Sequence, residues 1–487
     1  MKVLVLSLLR LGDIILHREV AKSLKLRYPN CEVHFLIHSE FKNAIGLLPE
    51  VDLFHQMPRQ EIQTVLVERA QSALLAFDKL QNLVMDLNSQ NFDIVLNATH
   101  NNLSVRLMDV LEAVEKRGVA LKKGRKLPDS NKWQTYLNEN FSELQGSRFH
   151  YLEVLLKSLG LPVLAPSAVT QKSVAKQILL QVLTSDSKKN WGLARFRTLK
   201  KELNQKFPEF PVAVLCSGNE KEKVSAFFAE NEILTPNLKE AAELLRKSRL
   251  LISGDTSISH LATQNDCQVL SLFLGSADPV KTAPWQTETY ILQGNVACAP
   301  CSHSSACFQT SHLCAESISI PQVIALTEKI LAVKQPSLPV KNLSDNLWRN
   351  EMQKNQFRTV PDFKSSLFQI EQLVWSAYLD SESVEVQSWN FVHNEILAIQ
   401  KEHFKFTSVL QELKSGQANF EAIENQFPQW KDSLLRLKRN PTLASAWAET
   451  DQLCLLRQSA LNQILNLKGV DNVREFRKPI ESRFTEA

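Results

Sequence analysis

Four short polar segments follow apolar runs that predict β-strands, and their side chains could hold a phosphorylated ligand. The segments centre on Asp13, on Thr184-Ser185 with Lys189, on Glu220, and on Asp255-Thr256-Ser257 with His260. Hydroxyls, an ammonium group and the free N–H groups of a helix start all attract a diphosphate. A carboxylate at a strand end, such as that of Glu220, can accept hydrogen bonds from a ribose.

Each of these segments also has a plainer interpretation. Asp13 stands where an aspartate commonly caps a helix, and the hydroxyls at 256 and 257 could do the same. A lysine at a turn, such as Lys189, is usually solvated. No single segment therefore decides between a binding site and ordinary capping.

Four of the eight cysteines cluster near the end of this series, with the spacing Cys298-x2-Cys301-x5-Cys307-x6-Cys314. Four thiolates over so short a stretch can form a tetrahedral zinc site, which in a reducing compartment is a better interpretation than disulfides. Four reduced thiols without metal are the alternative. A catalytic zinc is not expected, because no open three-ligand pattern accompanies the cluster.

The elements that must position these residues alternate between strand and helix. Apolar runs at 3–9, 31–37 and 93–97 predict the strands of a first half, and runs at 177–183, 211–216, 250–253 and 268–274 those of a second. Such runs are typical of parallel strands buried on both faces, in doubly wound sheets whose ligands collect beyond the carboxyl ends of the strands. Two such halves predict a cleft lined by the strand-end turns of both.

Length and composition set the outer limits. A chain of 487 residues predicts about three domains. Lys and Arg number 56 against 52 for Asp and Glu, a balance that disfavours a basic nucleic-acid-binding protein. The apolar N-terminal run is too short for a secretory signal, and no run approaches the ~20 residues of a membrane span, so we expect a cytoplasmic protein.

The α/β pattern stops near Pro336. Apolar residues at 389, 392, 396, 399, 403, 406, 410 and 413 alternate by three and four positions, which predicts a long helix, and a weaker seam runs from 447 to 465. We therefore expect three domains: residues 1–165 and 166–334, both Rossmann-like, and an all-α extension at 335–487. The extension is either an interaction module or a packing addition.

In this order, the segments resemble the ADP-heptose:lipopolysaccharide heptosyltransferase family, glycosyltransferase family 9, over residues 1–332. Asp255-Thr256 with His260-Leu261-Ala262 is similar to the family's D-T-G-x-x-H-L-A block. Phe273-Leu274-Gly275-Ser276-Ala277-Asp278-Pro279 is similar to its F-G-x-T-D-P block. Leu11-Gly12-Asp13, Lys189-Asn190-Trp191 and the cysteine cluster also match.

The resemblance implies a GT-B fold and an inverting glycosyltransferase, with the acceptor on the N-terminal domain and the nucleotide-sugar donor on the next. By that likeness Asp13 is the general base, and Lys189 assists catalysis by binding the donor. The implied donor-binding residues are Thr184, Ser185, Lys189, Glu220, Asp255, Thr256, Ser257 and His260. The acceptor-binding residues, which follow strands of the N-terminal half, are Arg10, His100 and Asn101.

The implied reaction moves a heptose or related sugar, with ADP-heptose first among donors, to lipopolysaccharide or another surface glycan. No cofactor is expected in catalysis, since no Asp-x-Asp triplet is present to hold a divalent metal. A glycolipid acceptor would bring the protein to the inner face of the cytoplasmic membrane. A basic stretch at 116–126 suits such contact, although a solvated loop is the more common interpretation of such a stretch. The alternative is a catalytically weak scaffold acting through its C-terminal helices, suggested by Ser257, which stands where the family has glycine.

Overall fold

The computed structural model describes part of the chain in detail. The described residues are 1–67, 72–122, 125–127, 131–139, 148–166, 177–287, 289–296, 298–303, 305–331, 347–353 and 356–361, with Gln372, Ser376, Leu379 and Asp380. The chain divides into two compact units, Met1–Lys364 and Ser365–Ala487. The predicted helical seams at 389–413 and 447–465 lie outside the described residues.

The first half of the first unit contains a parallel sheet. Its strands are β1 (Lys2–Leu6), β2 (Glu32–His38), β3 (Leu53–Met57), β4 (Phe92–Asn97) and β5 (Ala113–Arg117). They lie in the order β3-β2-β1-β4-β5. The accompanying helices are α1 (Leu11–Leu16), α2 (Arg18–Arg27), α3 (Arg59–Val67), α4 (Ser72–Asn88) and α5 (Asn102–Val110). Val3, Leu4, Val5 and Leu6 are fully buried, as a central strand covered on both faces requires.

A short hairpin and two helices complete this half. They are β6 (Ala120–Lys122), β7 (Arg125–Leu127), α6 (Lys132–Glu139) and α7 (Tyr151–Ser158). Helix α7 packs against α6 and begins at His150, whose Nδ1 accepts a hydrogen bond from the Leu152 amide. The start of α7 lies close to the second half of the unit.

The second half contains a larger sheet. Its strands are β8 (Gln177–Gln181), β9 (Val212–Leu215), β10 (Ile233–Leu234), β11 (Ser248–Gly254), β12 (Gln268–Phe273), β13 (Tyr290–Gln293), β14 (Leu347–Gln353) and β15 (Gln356–Pro361). They lie in the order β10-β9-β8-β11-β12-β13-β14-β15. Its helices are α8 (Leu193–Lys206), α9 (Lys221–Ser225), α10 (Leu238–Arg246), α11 (Ser257–Gln264), α12 (Pro279–Thr282), α13 (Leu313–Glu316) and α14 (Ile320–Leu331). The first six strands in this order are parallel, so two Rossmann-like halves are present, as the sequence predicts.

The all-α description of residues 335–487 is wrong for its first part. Strands β14 and β15 form an antiparallel hairpin whose register pairs Gln353 with Gln356, and β14 pairs with β13 at the edge of the second sheet. Strands β14 and β15 therefore extend the second sheet, which places them with the α/β half.

Helix α1 joins the two halves. Ile15 packs in one apolar cluster with Leu245, Leu251 and Leu261 of the second half. The Gln264 side-chain amide donates a hydrogen bond to the carbonyl oxygen of Ile15. The first helix of the N-terminal half is thus docked on α11, and the strand-end turns of the two halves face each other beside this contact.

Candidate active site

Asp13 lies in the first turn of α1, directly after β1. The Arg10 amide donates to its Oδ2 at 3.1 Å, so the carboxylate does cap its own helix. It also lies within electrostatic reach of Asp255 and Lys189 in the second half. Burial raises the pKa of Asp13 from 3.8 to about 6, helped by the nearby Asp255 and opposed by the Arg10 amide, Arg10 and Lys189. Asp13 therefore caps its own helix and also faces the charged residues of the second half.

The facing half presents an ion pair. The Lys189 ammonium donates to Oδ2 of Asp255 at 2.7 Å, and the two side chains are only 9% and 11% exposed. An ammonium group carries three N–H donors, so this pairing takes one of them. The solvated interpretation of Lys189 is wrong, because the ammonium is held inside the cleft opposite Asp13.

The turn that carries Lys189 is fixed from both ends. Residues Ser187–Lys189 form a single 3-10 turn after β8. The Thr184 amide donates to Oδ1 of Asn190 at 2.8 Å, and the Thr184 hydroxyl donates to the Asp186 carbonyl oxygen at 2.7 Å. The Thr184 hydroxyl thus shapes the turn, while Ser185 stands exposed at its tip.

Helix α11 begins at the other side of this turn. Thr256 is its N-cap residue, and its side chain makes no capping hydrogen bond; its hydroxyl lies 3.2 Å from the Ser253 hydroxyl. Ser259 donates from the first turn to the Gly254 carbonyl oxygen at 2.9 Å. The hydroxyls at the helix start therefore pack on the end of β11 and leave the capping interpretation of Thr256 unsupported. The start of α11 retains the positive end of the helix dipole.

His260 is buried between the halves, and its Nδ1 has no hydrogen-bond partner among the described residues. Burial lowers the pKa of this histidine to about 4, so the ring is neutral at pH 7. A Cβ added at Gly12 would stand 3.5 Å from His260 Cδ2 and 3.6 Å from the Cα of Ser257. The turn that carries Asp13 therefore passes close to the start of α11.

Glu220 follows β9, the strand next to β8, at the same edge of the sheet. Its Oε2 accepts hydrogen bonds from the amide and the hydroxyl of Ser217, at 2.9 and 2.7 Å. The carboxylate is partly exposed and caps a 3-10 turn. The sequence-predicted ribose acceptor is thus present at the strand end, although part of its capacity already serves the turn.

The three predicted acceptor residues differ in what they do. Arg10 is exposed at the N-terminus of α1 and lies within electrostatic reach of Asp13. Asn101 is the N-cap of α5: its Oδ1 accepts from the Ser104 amide at 2.8 Å and its Nδ2 donates to the Leu8 carbonyl oxygen. His100 lies near the buried His17, whose pKa it helps to lower. Asn101 thus has a structural task in addition to any contact with a ligand.

The loop that carries Cys298, Cys301, Cys307 and Cys314 packs beside the Lys189 turn. The Lys188 ammonium donates to the carbonyl oxygens of Ser302, His303 and Ser305 at 2.9, 3.1 and 2.6 Å. All four cysteines are free thiols. Within the described ranges, no three Cys, His, Asp or Glu side chains are arranged so that they could hold a metal ion.

The sequence analysis gave no role to several residues that hold this site. Lys188 ties the cysteine loop to the Lys189 turn, and His150 Nε2 lies 2.8 Å from the Ala283 carbonyl oxygen across the two halves. Gly275 has φ +59°, and a Cβ there would stand 2.5 Å from the Lys188 carbonyl oxygen. A glycine inside the F-G-x-T-D-P-like block was the signal that could have pointed to this close approach.

Comparisons with known proteins agree with this geometry. The family model for glycosyltransferase family 9 (heptosyltransferase) matches residues 81–312. The crystal structure of a family 9 glycosyl transferase from Veillonella parvula DSM 2008 is similar in fold, with 16% identity and a TM-score of 0.51 over 68% of this chain and 98% of that one. E. coli heptosyltransferase WaaC with ADP is similar at 15% identity and a TM-score of 0.50, over 68% of this chain and 100% of that one.

Among curated proteins, no sequence matches this chain. At these identities the two solved structures support the fold alone, and the likeness to the family rests on the family model, which matches just under half of the chain. It spans the Lys189 turn, the start of α11 and most of the cysteine loop. Residues 81–312 are therefore similar to glycosyltransferases of family 9, as the motifs in this stretch predict.

Proposed function

We propose that the protein is an inverting glycosyltransferase that moves a heptose or related sugar from a nucleotide diphosphate, with ADP-heptose as the first candidate donor. The observation that carries the proposal is the position of Asp13 opposite a buried ion pair. A carboxylate whose pKa is about 6 faces a buried Lys189–Asp255 ion pair and the start of α11. An acid and a cationic clamp on opposite walls suit the two ends of a single displacement.

Asp13 acts as the general base. At pH 7 a carboxyl group with a pKa of about 6 is mostly ionised, yet it is a far better proton acceptor than an ordinary aspartate. It takes the proton of the acceptor hydroxyl as that oxygen attacks the anomeric carbon. The bond from this carbon to the diphosphate oxygen breaks on the opposite face, so the configuration inverts.

The leaving nucleoside diphosphate carries the charge that develops. Lys189 has N–H donors left beyond its bond to Asp255, and the helix dipole at Thr256 and Ser257 adds positive potential. The exposed Ser185 hydroxyl and the turn shaped by Thr184 complete the cradle. These groups stabilise charge where it appears, which is the largest contribution in many enzymes. Glu220 accepts hydrogen bonds from the ribose, and His260 shapes the sugar pocket.

The acceptor lies on the N-terminal half, against Arg10, His100 and Asn101. Lipopolysaccharide or another surface glycan is the acceptor class that the resemblance of the motifs implies. Within the described part of the chain, no helix is long and apolar enough to cross a bilayer. We infer a cytoplasmic protein that reaches a glycolipid acceptor by peripheral contact with the inner face of the membrane.

The four cysteines do not enter this mechanism. Their arrangement among the described residues does not fit a metal site, and no step is assigned to one. Structural zinc remains a prediction from their spacing alone, and elemental analysis of the purified full chain tests it: about one zinc per chain would support it, and metal-free protein whose four loop thiols are all alkylated would exclude it.

A donor screen tests the proposed function. A ligand that binds only the folded state at about 100 times its Kd stabilises it by about 2.7 kcal/mol. We expect ADP and ADP-heptose to raise the melting temperature more than GDP- or UDP-sugars, and ADP release to depend on Asp13. Donor binding without turnover, in both the native chain and Asp13→Ala, would favour the scaffold. No response to any nucleotide would overturn the proposal.

A further inference from the structure

A chain of buried hydrogen bonds lies directly behind the helix that carries Asp13. The Ser7 hydroxyl is 2.8 Å from Nδ1 of His17, and Nε2 of His17 is 2.9 Å from the Tyr151 hydroxyl. The Tyr151 hydroxyl in turn donates to the Ala98 carbonyl oxygen at 3.1 Å. Three separate elements, β1, α1 and α7, are connected by these bonds.

The hydrogen bonds assign one proton arrangement. Because the Tyr151 hydroxyl donates to Ala98, its oxygen accepts, so His17 carries its proton on Nε2. Nδ1 of His17 then accepts from the Ser7 hydroxyl. Burial lowers the pKa of His17 to about 3, which agrees with a neutral ring that has one donor and one acceptor. Every polar atom of this imidazole is satisfied, as a rigid buried network requires.

His17 is also the residue at which α1 ends. Its amide donates to the carbonyl oxygen of Asp13 at 2.8 Å, so its backbone closes the turn that Asp13 begins. Its side chain fixes the end of that six-residue helix to β1 and α7. A helix so short has little stability of its own, and its orientation depends on such tertiary contacts.

The residue before Tyr151 reaches the donor-binding half. Nδ1 of His150 accepts from the Leu152 amide, so its Nε2 donates to the Ala283 carbonyl oxygen, and its ring lies 4.7 Å from that of Trp285. The adjacent residues His150 and Tyr151, at the start of α7, therefore contact opposite halves of the unit. One holds the helix of Asp13, and the other holds the segment after α12.

We propose that His17 and Tyr151 are positioning residues, which orient α1 so that the Asp13 carboxylate meets the acceptor hydroxyl, while His150 fixes the same point to the donor-binding half. The inference rests on the proposed function, since Asp13 is its base. Displacing a reacting group by about 1 Å can cost ~100-fold in rate. The network therefore governs turnover and leaves donor affinity, which depends on Lys189 and α11, unchanged.

Tyr151→Phe tests the network, because it removes one hydroxyl and keeps the ring. We expect kcat for ADP release from ADP-heptose with acceptor to fall ~10–100-fold, with donor KM within about twofold of the native value. The matched control is Ser158→Ala, which removes a buried hydroxyl that donates to the Leu155 carbonyl oxygen at 2.7 Å on the same helix. It should lower the melting temperature with kcat unchanged.

His17 supplies a rescue experiment. His17→Leu removes both hydrogen bonds, whereas His17→Gln can still donate to the Tyr151 hydroxyl, so we expect the Gln variant to recover part of the kcat that the Leu variant loses. Equal kcat in Tyr151→Phe and Ser158→Ala, or a loss that appears only in donor KM, would overturn the inference. If the native chain itself shows no turnover, the proposed function fails, which is a separate result.

Discussion

Replacing Asp13 by asparagine should remove activity and stabilise the fold. The amide keeps the size of the carboxyl group and can still accept from the Arg10 amide, but it cannot take a proton. A general base contributes typically 10²- to 10⁴-fold, so kcat should fall by roughly that factor, about 3–5 kcal/mol of activation free energy. Donor KM should change little, because the Lys189 turn is intact.

The stability effect follows from the pKa of the carboxyl group. In the folded protein Asp13 has a pKa of about 6, against 3.8 for an ordinary aspartate. Between these values the folded state binds more protons than the unfolded state, so the contribution of Asp13 to stability falls as pH rises through this window. Above pH 6 the ionised carboxylate costs up to about 3 kcal/mol, at ~1.4 kcal/mol per pH unit.

Denaturation at two pH values measures this cost. We expect Asp13→Asn to unfold with the native chain at pH 4, and to be more stable than it at pH 7.5 by at most about 3 kcal/mol. In the native enzyme, kcat/KM should fall about tenfold per pH unit below pH 6 as Asp13 becomes protonated. Asp109→Asn, an exposed change on α5, is the control and should alter neither quantity.

Two results would refute this reasoning. An Asp13→Asn variant that keeps native kcat would mean that the base is another group. If Asp13→Asn and the native chain are equally stable at both pH values, and kcat/KM of the native enzyme falls only near pH 4, then the carboxylate is solvated and does not face the second half of the unit. Either outcome would remove the observation on which the proposed function depends.

Three further changes test the donor-binding wall. Lys189→Met should abolish the rise in melting temperature caused by ADP. It should also destabilise the apo protein by about 3 kcal/mol, because Asp255 would stay buried without its partner. Lys189→Arg should retain part of the ADP response and part of the stability. Gly275→Ala should weaken ADP binding at least tenfold in calorimetry, because its Cβ would stand 2.5 Å from the Lys188 carbonyl oxygen. The control is Gly46→Ala, where φ is +89° and no atom lies within 4 Å of the added Cβ. It should lower the free energy of unfolding only by the ~1–2 kcal/mol of a left-handed residue. Lys188→Met should release the cysteine loop and speed alkylation of its thiols severalfold, measured by mass spectrometry with ADP affinity as the check on the turn.

Much of the site could be predicted from strand-end positions. Asp13, Lys189 and Asp255 each follow a buried apolar run, and the carboxyl ends of parallel strands share an edge of their sheet. Strand-end position therefore predicts the sheet edges at which the structure has these residues. Local pattern also predicted the capping of α1 by Asp13, which the Arg10 amide confirms.

The pairs that link distant positions could not be predicted in this way. Lys189 and Asp255 are 66 positions apart, and His17 and Tyr151 are 134 apart. Each of these residue types is also common in solvent or in the hydrophobic core, and only the packing of whole elements decides which environment the side chain has. The hairpin of β14 and β15 was missed for a related reason. Its strands depend on an open edge at β13, which the local sequence does not reveal.

Ser257 is the departure from the family pattern that most affects the choice between enzyme and scaffold. The Ser257 side chain has room where the two halves meet, since even a Cβ added at Gly12 would stand at an ordinary van der Waals distance of 3.7 Å from the Cβ of Ser257. The serine therefore packs against the turn of Asp13 without pushing the halves apart. Because the Lys189–Asp255 pair and the raised pKa of Asp13 coexist with Ser257, the substitution leaves the two walls of the cleft in register, and the enzyme is the better interpretation.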